Sequence, residues 1–239
     1  MKFLIIGYGS MGKRHHANIL RLMPDAEFVI YDPVLFPESE IVKADAVVIA
    51  SPTNWHSSQI MLCVAMGMSF MCEKPLGIIE LPDTIGVRCA VGFNYRFHRQ
   101  WGKIGALAES GELNFTARSN GLARYGPTVG GTMTSHAIDM ALYWLGPAVK
   151  VDIESDGVKL SGLVEHERGT SRYNYDMDSP SRVSIVGNGR QDIQLDPDEA
   201  SYYHEMRAWL SYLVTGIPDS RLAMLDDGLA VERILAQCR

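Results

Sequence analysis

The residues with the clearest chemical signature open the chain, in the turn Gly7-Tyr8-Gly9-Ser10-Met11-Gly12. The apolar run Lys2–Ile6 precedes it and a helix-like segment, 13–20, follows, so this G-x-G-x-x-G lies between a strand and a helix. In that setting the first Gly permits a tight turn, the second lets backbone approach a pyrophosphate, and the third allows close helix–strand packing. The helix start adds unpaired N–H groups and a positive dipole end. A second apolar run, Glu27–Tyr31, ends in Asp32, about 20 residues beyond the last Gly, where a ribose-binding acid stands in dinucleotide sites. Such a carboxylate accepts hydrogen bonds from ribose hydroxyls and repels a 2′-phosphate, and Pro33 rather than an arginine follows it, so NAD(H) is favoured over NADP(H). Taken alone, Asp32 also suits the first position of a turn before proline.

Two further residues could move protons. Lys74 follows the apolar segment 69–72 and precedes Pro75, at the carboxyl end of an expected strand, where ligands bind in open α/β sheets. A lysine in a partly desolvated cleft near other cations loses its proton near neutral pH and can accept one from a hydroxyl. A solvated surface lysine is the alternative. His136 belongs to an expected helix, 132–145, on which Thr132, His136, Asp139 and Tyr143 form one polar stripe opposite Met133, Ala137, Met140, Ala141 and Trp144. That stripe suits either a site or solvent. His15, one or two turns into the first helix, reads as packing, and His98, His166 and His204 show no ligand spacing, so no metal is assigned.

The elements that position these residues alternate strand and helix through the first third, the pattern of a parallel sheet with crossover helices. Strands are expected at 46–50, 69–72 and 87–98, with a helix at 55–66. The connections 33–45 and 78–86 are short and contain prolines, barely enough for parallel crossovers, so the sheet is expected to be abbreviated. A boundary falls near 98, giving a dinucleotide-binding domain, 1–98, and a second domain, 99–239. The second part opens with a helix at 101–110, a strand at 113–119 and a Gly/Pro-rich loop at 121–131, which leads into the 132–145 helix. Short strands follow at 149–154, 158–165, 171–177, 182–186 and 191–195, then helices at 197–214 and 222–237. Strands bounded by helices imply an α+β domain with a mixed or antiparallel sheet.

Composition narrows the classes. The 239 residues suffice for two modest cores, and 46% apolar with 21% charged residues is ordinary globular material. A net charge of −6 argues against nucleic-acid binding through bulk electrostatics. Cys63, Cys72, Cys89 and Cys238 contain no C-x-x-C and read as reduced thiols. The short N-terminal apolar run breaks into the glycine turn, unlike a signal segment, and no run reaches membrane-span length, so a soluble cytoplasmic protein is expected.

The segments GYGSMGKRHHANI, ADAVVIASPTNWH, MCEKPLG, VGFNYRFH and GGTMTSHAIDMALYWLG occur in an order that resembles the Gfo/Idh/MocA family of nicotinamide-dependent oxidoreductases. The resemblance covers most of the chain. Its wording is most similar to members acting on sugars or nucleotide-sugars in surface-polysaccharide pathways. It implies a Rossmann domain followed by an α+β substrate domain, hydroxyl–carbonyl interconversion, Lys74 as proton-transfer residue and His136 beside the substrate. It also implies that Ser51, Pro52 and Thr53 lie along the nicotinamide half of the cofactor with His56 close by, a segment that otherwise reads as a simple turn. Glu73 then either contacts the nicotinamide ribose or orients Lys74. Asn94 and Arg96 are implied to line the cleft, with Thr132 and Asp139 on the substrate side; Arg96 serves equally for an anionic group or a structural salt bridge. Many members carry an Asp one turn before the histidine, where this chain has Thr132, which weakens an inositol-type assignment. Alternatives are an NAD(H)-binding sensor or inactive relative, and a reductase of a non-sugar acceptor such as an imine or tetrapyrrole. The family's habit of associating through the second domain's sheet implies a homodimer or homotetramer.

Overall fold

A computed structural model describes residues 1–36, 38, 40–77, 80, 86–118, 133–177, 182–187, 191–195 and 198–238. The chain divides into two compact units, one of Met1–Phe97 with Glu199–Leu229 and the other of His98–Asp198 with Ala230–Arg239.

The first unit is built on five parallel strands, β1 (Lys2–Ile6), β2 (Glu27–Tyr31), β3 (Ala46–Ile49), β4 (Ser69–Glu73) and β5 (Cys89–Gly92), in the order β2-β1-β3-β4-β5. β3, β4 and β5 are buried on both faces, which is why they read as continuous apolar runs rather than alternating ones. Helices α1 (Ser10–Leu22) and α2 (His56–Ala65) make the crossovers after β1 and β3. In a full doubly wound sheet another strand lies outside β2. Among the described residues β2 is instead the edge, as the short connection after Asp32 predicts.

The strand expected over 87–98 is shorter than that. β5 stops at Gly92 and Asn94–Phe97 winds into a 3₁₀ turn. The neighbouring β4 ends at Glu73, paired with Gly92, so residues beyond have no ladder to extend. Their backbone bonds turn inward, Phe93 N–H to the Val91 carbonyl and Arg96 N–H to that of Phe93.

A single boundary near 98 captures only the first change of unit. Residues 199–229 belong to the first unit, because α5 (Glu199–Thr215) presents Met206, Trp209 and Leu210 to the same core as Phe3, Ile5 and Ile19. The Trp209 and Phe3 rings lie 6.4 Å apart, and Arg88 donates to the Tyr212 and Leu213 carbonyls at the other end of the helix.

The second unit carries a six-stranded mixed sheet of β6 (Glu112–Arg118), β7 (Ala148–Ser155), β8 (Lys159–His166), β9 (Gly169–Asp176), β10 (Arg182–Gly187) and β11 (Gln191–Gln194). The order is β11-β10-β6-β9-β8-β7, with β6 and β9 parallel and the other pairs among the described residues antiparallel. α3 (Trp101–Ala108) packs on β6, β10 and β11, and α4 (Met133–Leu145) on β6 and β9. This is the expected α+β arrangement. A last helix, α6, spans Leu225–Leu235. No helix among the described residues is long and apolar enough to cross a membrane.

Candidate functional site

Parallel register gathers the first unit's chemistry at one sheet edge. Ile6 pairs with Tyr31 and Ile49, Ile49 with Cys72, and Cys72 with Val91. The next residues along these strands are therefore Gly7, Asp32, Ala50, Glu73 and Gly92, with Ser51 and Lys74 one step beyond.

Each glycine of the turn answers a different constraint. Gly7 has φ +86°, donates its N–H to the Tyr31 carbonyl at 2.8 Å, and packs so tightly that a Cβ would meet Ser51 N at 2.6 Å. A Cβ on Gly12 would drive into the Gly7 carbonyl oxygen, so this glycine brings α1 against the turn. Gly9, by contrast, has nothing within 4 Å of its Cβ position and is exposed. It is the N-cap of α1, which begins with no side-chain cap and no acidic residue in its first turn. The open face at Gly9 and the uncapped helix start fit a pyrophosphate, the group whose approach this glycine allows. Ser10 is exposed beside it, and the Met11 sulfur accepts from Arg14.

Asp32 is bound into the turn. Its Oδ2 accepts the Tyr8 N–H at 2.7 Å, and Oδ1 accepts the N–H groups of Val34 and Leu35 at 3.1 Å each. Burial pushes its carboxyl up, but the three backbone donors outweigh burial and hold it below the usual range. The turn-starting role is thus real. The Tyr8 hydroxyl bonds His16 Nδ1 at 2.7 Å.

Glu73 is 8% exposed and accepts a 2.7 Å hydrogen bond from Nε2 of the fully buried His15. Its carboxyl lies where a Cβ on Gly92 would come within 3.2 Å, so the glycine opposite in β5 makes its room. Burial raises the Glu73 carboxyl, but the His15 bond and the charges of His15, Lys74 and His56 reverse this and leave it lowered. Lys74 is half-buried. Desolvation lowers its proton affinity, Glu73 pulls it back up, and desolvation wins.

The partnership with His15 lies outside what sequence reading assigned. Its signal was present, because Gly12, His15 and Ile19 form the buried face of α1. The remaining candidates separate into surface and interior. The Ser51 hydroxyl donates to Gln59 at 2.6 Å, Pro52 is exposed, and the Thr53 backbone packs against Gly77. His56 is 1% exposed, with its ring nitrogens 2.8 Å from the backbone carbonyl oxygens of Pro75 and Ser51. Asn94 and Arg96 are interior residues of this unit: Asn94 donates to Ser201 at 2.6 Å, and Arg96 pairs with Asp227 at 3.3 Å.

In the second unit, His136 and Asp139 are buried on α4, as are Thr134 and Ser135, and Tyr143 is half-buried. Thr132 and the 121–131 loop lie outside the described residues. The described residues hold no group of three or more His, Cys, Asp or Glu placed to bind a metal.

A Rossmann-type sheet with an open glycine cradle and a lysine at its carboxyl edge, followed by an α+β unit, defines a dinucleotide-dependent oxidoreductase architecture. No protein-family model matches the chain. Myo-inositol 2-dehydrogenase of Thermotoga maritima is 30% identical over 248 residues, covering 87% of this chain and 71% of that protein. An inositol 2-dehydrogenase of Rhodococcus jostii is 23% identical, covering 74% and 50%. Among solved structures, the WlbA dehydrogenase of Thermus thermophilus in complex with NAD and UDP-GlcNAcA shares the fold with a TM-score of 0.75 at 18% identity, covering 99% and 94%. The chain belongs to the Gfo/Idh/MocA family of oxidoreductases. It spans 71% of the length of the Thermotoga protein and 50% of that of the Rhodococcus jostii one. The 248-position alignment with the Thermotoga protein exceeds this whole chain of 239 residues, so that relative has residues where this chain has none.

Proposed function

We propose that the protein interconverts a hydroxyl and a carbonyl on a sugar, cyclic polyol or nucleotide-sugar with NAD(H) as hydride carrier. The observation that carries this reading is the alignment of the Gly9 cradle, Asp32 and Lys74 along one sheet edge. The Gly7–Gly12 backbone would hold the pyrophosphate, Asp32 the adenine-side ribose, and Ser51, Pro52 and Thr53 the nicotinamide half. The negative charge of Asp32 favours NAD(H) over NADP(H). When bound, the nicotinamide supplies hydride transfer at C4. Lys74, its ammonium disfavoured by burial, takes the hydroxyl proton as a neutral amine or returns it in the reverse direction. His136, Asp139 and Thr132 are the substrate-side residues of this reading.

The inositol dehydrogenases and the UDP-GlcNAcA complex among the relatives support this substrate class. The test is NAD⁺ reduction, or NADH oxidation, across inositols, sugars and nucleotide-sugars. Turnover with at least one is expected. NADH binding without turnover would instead mark a sensor, a reading favoured by the edge position of β2 and by Thr132 in place of an acid. Turnover confined to imines or tetrapyrroles would move the substrate class. We take the protein to be a cytoplasmic homodimer or homotetramer, and light scattering that finds a monomer at micromolar concentration contradicts that assembly.

A further inference from the structure

We propose that His15 is a positioning residue for Lys74: from α1 it fastens the Glu73 side chain, and with it the end of β4 that leads into the lysine. The sheet itself stops restraining the chain at this point. The β3–β4 ladder ends at the pair Ile49 and Cys72, and the β4–β5 ladder at Glu73 and Gly92. Strand pairing thus holds Glu73 from one side and ends one residue short of Lys74. The 2.7 Å bond from His15 Nε2 to Glu73 Oε1 arrives from a third element where the pairing runs out.

The helix that carries His15 is a firm support. At Gly12, one turn earlier, α1 lies against the Gly7 carbonyl with no room for a Cβ. At Arg14 it is tied to α5, through bonds of 2.8 and 2.9 Å to Glu199 and a Tyr202 ring 4.6 Å from the guanidinium. The helix that starts at the glycine cradle therefore also sets the lysine turn, and one frame serves both.

An imidazole is a poor choice here for packing alone. His15 is fully buried, and its Nδ1 has no hydrogen-bond partner among the described residues. A buried polar atom left unbonded is unfavourable, so stability alone favours an apolar side chain at this position. What the imidazole adds is its bond to Glu73. Burial raises the Glu73 carboxyl, the His15 bond is the largest influence opposing that, and the charge so kept acts on Lys74. Misplacement of a reacting group by about 1 Å can cost about 10²-fold in rate. This inference rests on the reading of Lys74 as the proton-transfer residue.

A double-mutant cycle in the full chain tests it. His15→Leu should lower kcat roughly ten- to hundredfold while the NADH Kd stays within about threefold. In a Lys74→Ala background the same substitution should cost less than about twofold, because no lysine remains to be positioned. An unchanged kcat, a loss confined to NADH affinity, or an equal loss in both backgrounds overturns the proposal. Unmodified turnover of Lys74→Ala alone overturns the Lys74 reading instead. Backbone order parameters from NMR need no turnover. In His15→Leu those of Glu73 and Lys74 should fall toward about 0.6, while Phe70 and Met71 stay near about 0.85. A uniform change along β4, or none, overturns the proposal. If His15→Leu does not fold, Gly92→Ala decides, since its Cβ would stand 3.2 Å from the Glu73 carboxyl and leave His15 in place. Its kcat should fall at least about threefold with NADH affinity retained, and an unchanged kcat overturns the proposal.

Discussion

Lys74 balances two opposing influences, and their signs give a prediction. Burial disfavours its ammonium and the Glu73 carboxylate favours it, with burial the larger. The neutral amine therefore becomes available at lower pH than for an ordinary lysine, about 10.4. In the oxidative direction kcat should rise through a limb below that value. Glu73→Gln removes the influence that raises Lys74, so this limb should move to still lower pH. A pH–rate profile in which it moves upward contradicts the assignment. The place of Lys74 at the end of a strand was legible because it stands between an apolar run and a proline. The buried pair beneath it was only half legible: the spacing of His15 from Gly12 places it on the inner face of α1, but nothing local names Glu73 as its partner. Asn94 and Arg96 were harder still, because Ser201 and Asp227 lie more than a hundred residues away.

The glycine turn divides its work between folding and binding. Gly12→Ala forces α1 away from the Gly7 carbonyl and should cost about 1–3 kcal/mol, measured by urea unfolding. Gly9→Ala meets nothing and keeps an extended N-cap conformation that alanine adopts, φ −73° and ψ −156°, so stability should change by under about 0.5 kcal/mol. A methyl group at that open position should nevertheless weaken NADH binding at least about tenfold, because it occupies the pyrophosphate approach. Equal loss of stability in both variants, or unchanged NADH affinity in Gly9→Ala, contradicts this division. Periodicity located most strands and helices of both units to within a few residues, since side-chain burial imposes it. It overextended β5 because the end of a strand depends on where its neighbour stops. It also left α4 open between site and solvent, since a polar stripe looks the same whether water or protein covers it.

At the scale of the whole molecule, the first unit is discontinuous in sequence. Its core takes Trp209 and Met206 from a helix more than a hundred residues beyond β5. A fragment of residues 1–98 should therefore fail to unfold cooperatively in denaturant, and Trp209→Ala in the full chain should lose about 3–5 kcal/mol. A stable 1–98 fragment contradicts the shared core. The apolar face of α5 was visible in its spacing, but the surface it covers was not, because an amphipathic stripe specifies burial and not the partner. The central claim joins these scales: the sheet edge that carries the glycine cradle also presents Lys74 as the proton-transfer group. Steady-state turnover of Lys74→Ala, beside an NADH titration of the same variant, tests it most directly. The account predicts a loss of roughly 10²–10⁴-fold in kcat with NADH affinity retained. A variant that binds NADH and turns over at the unmodified rate would contradict it.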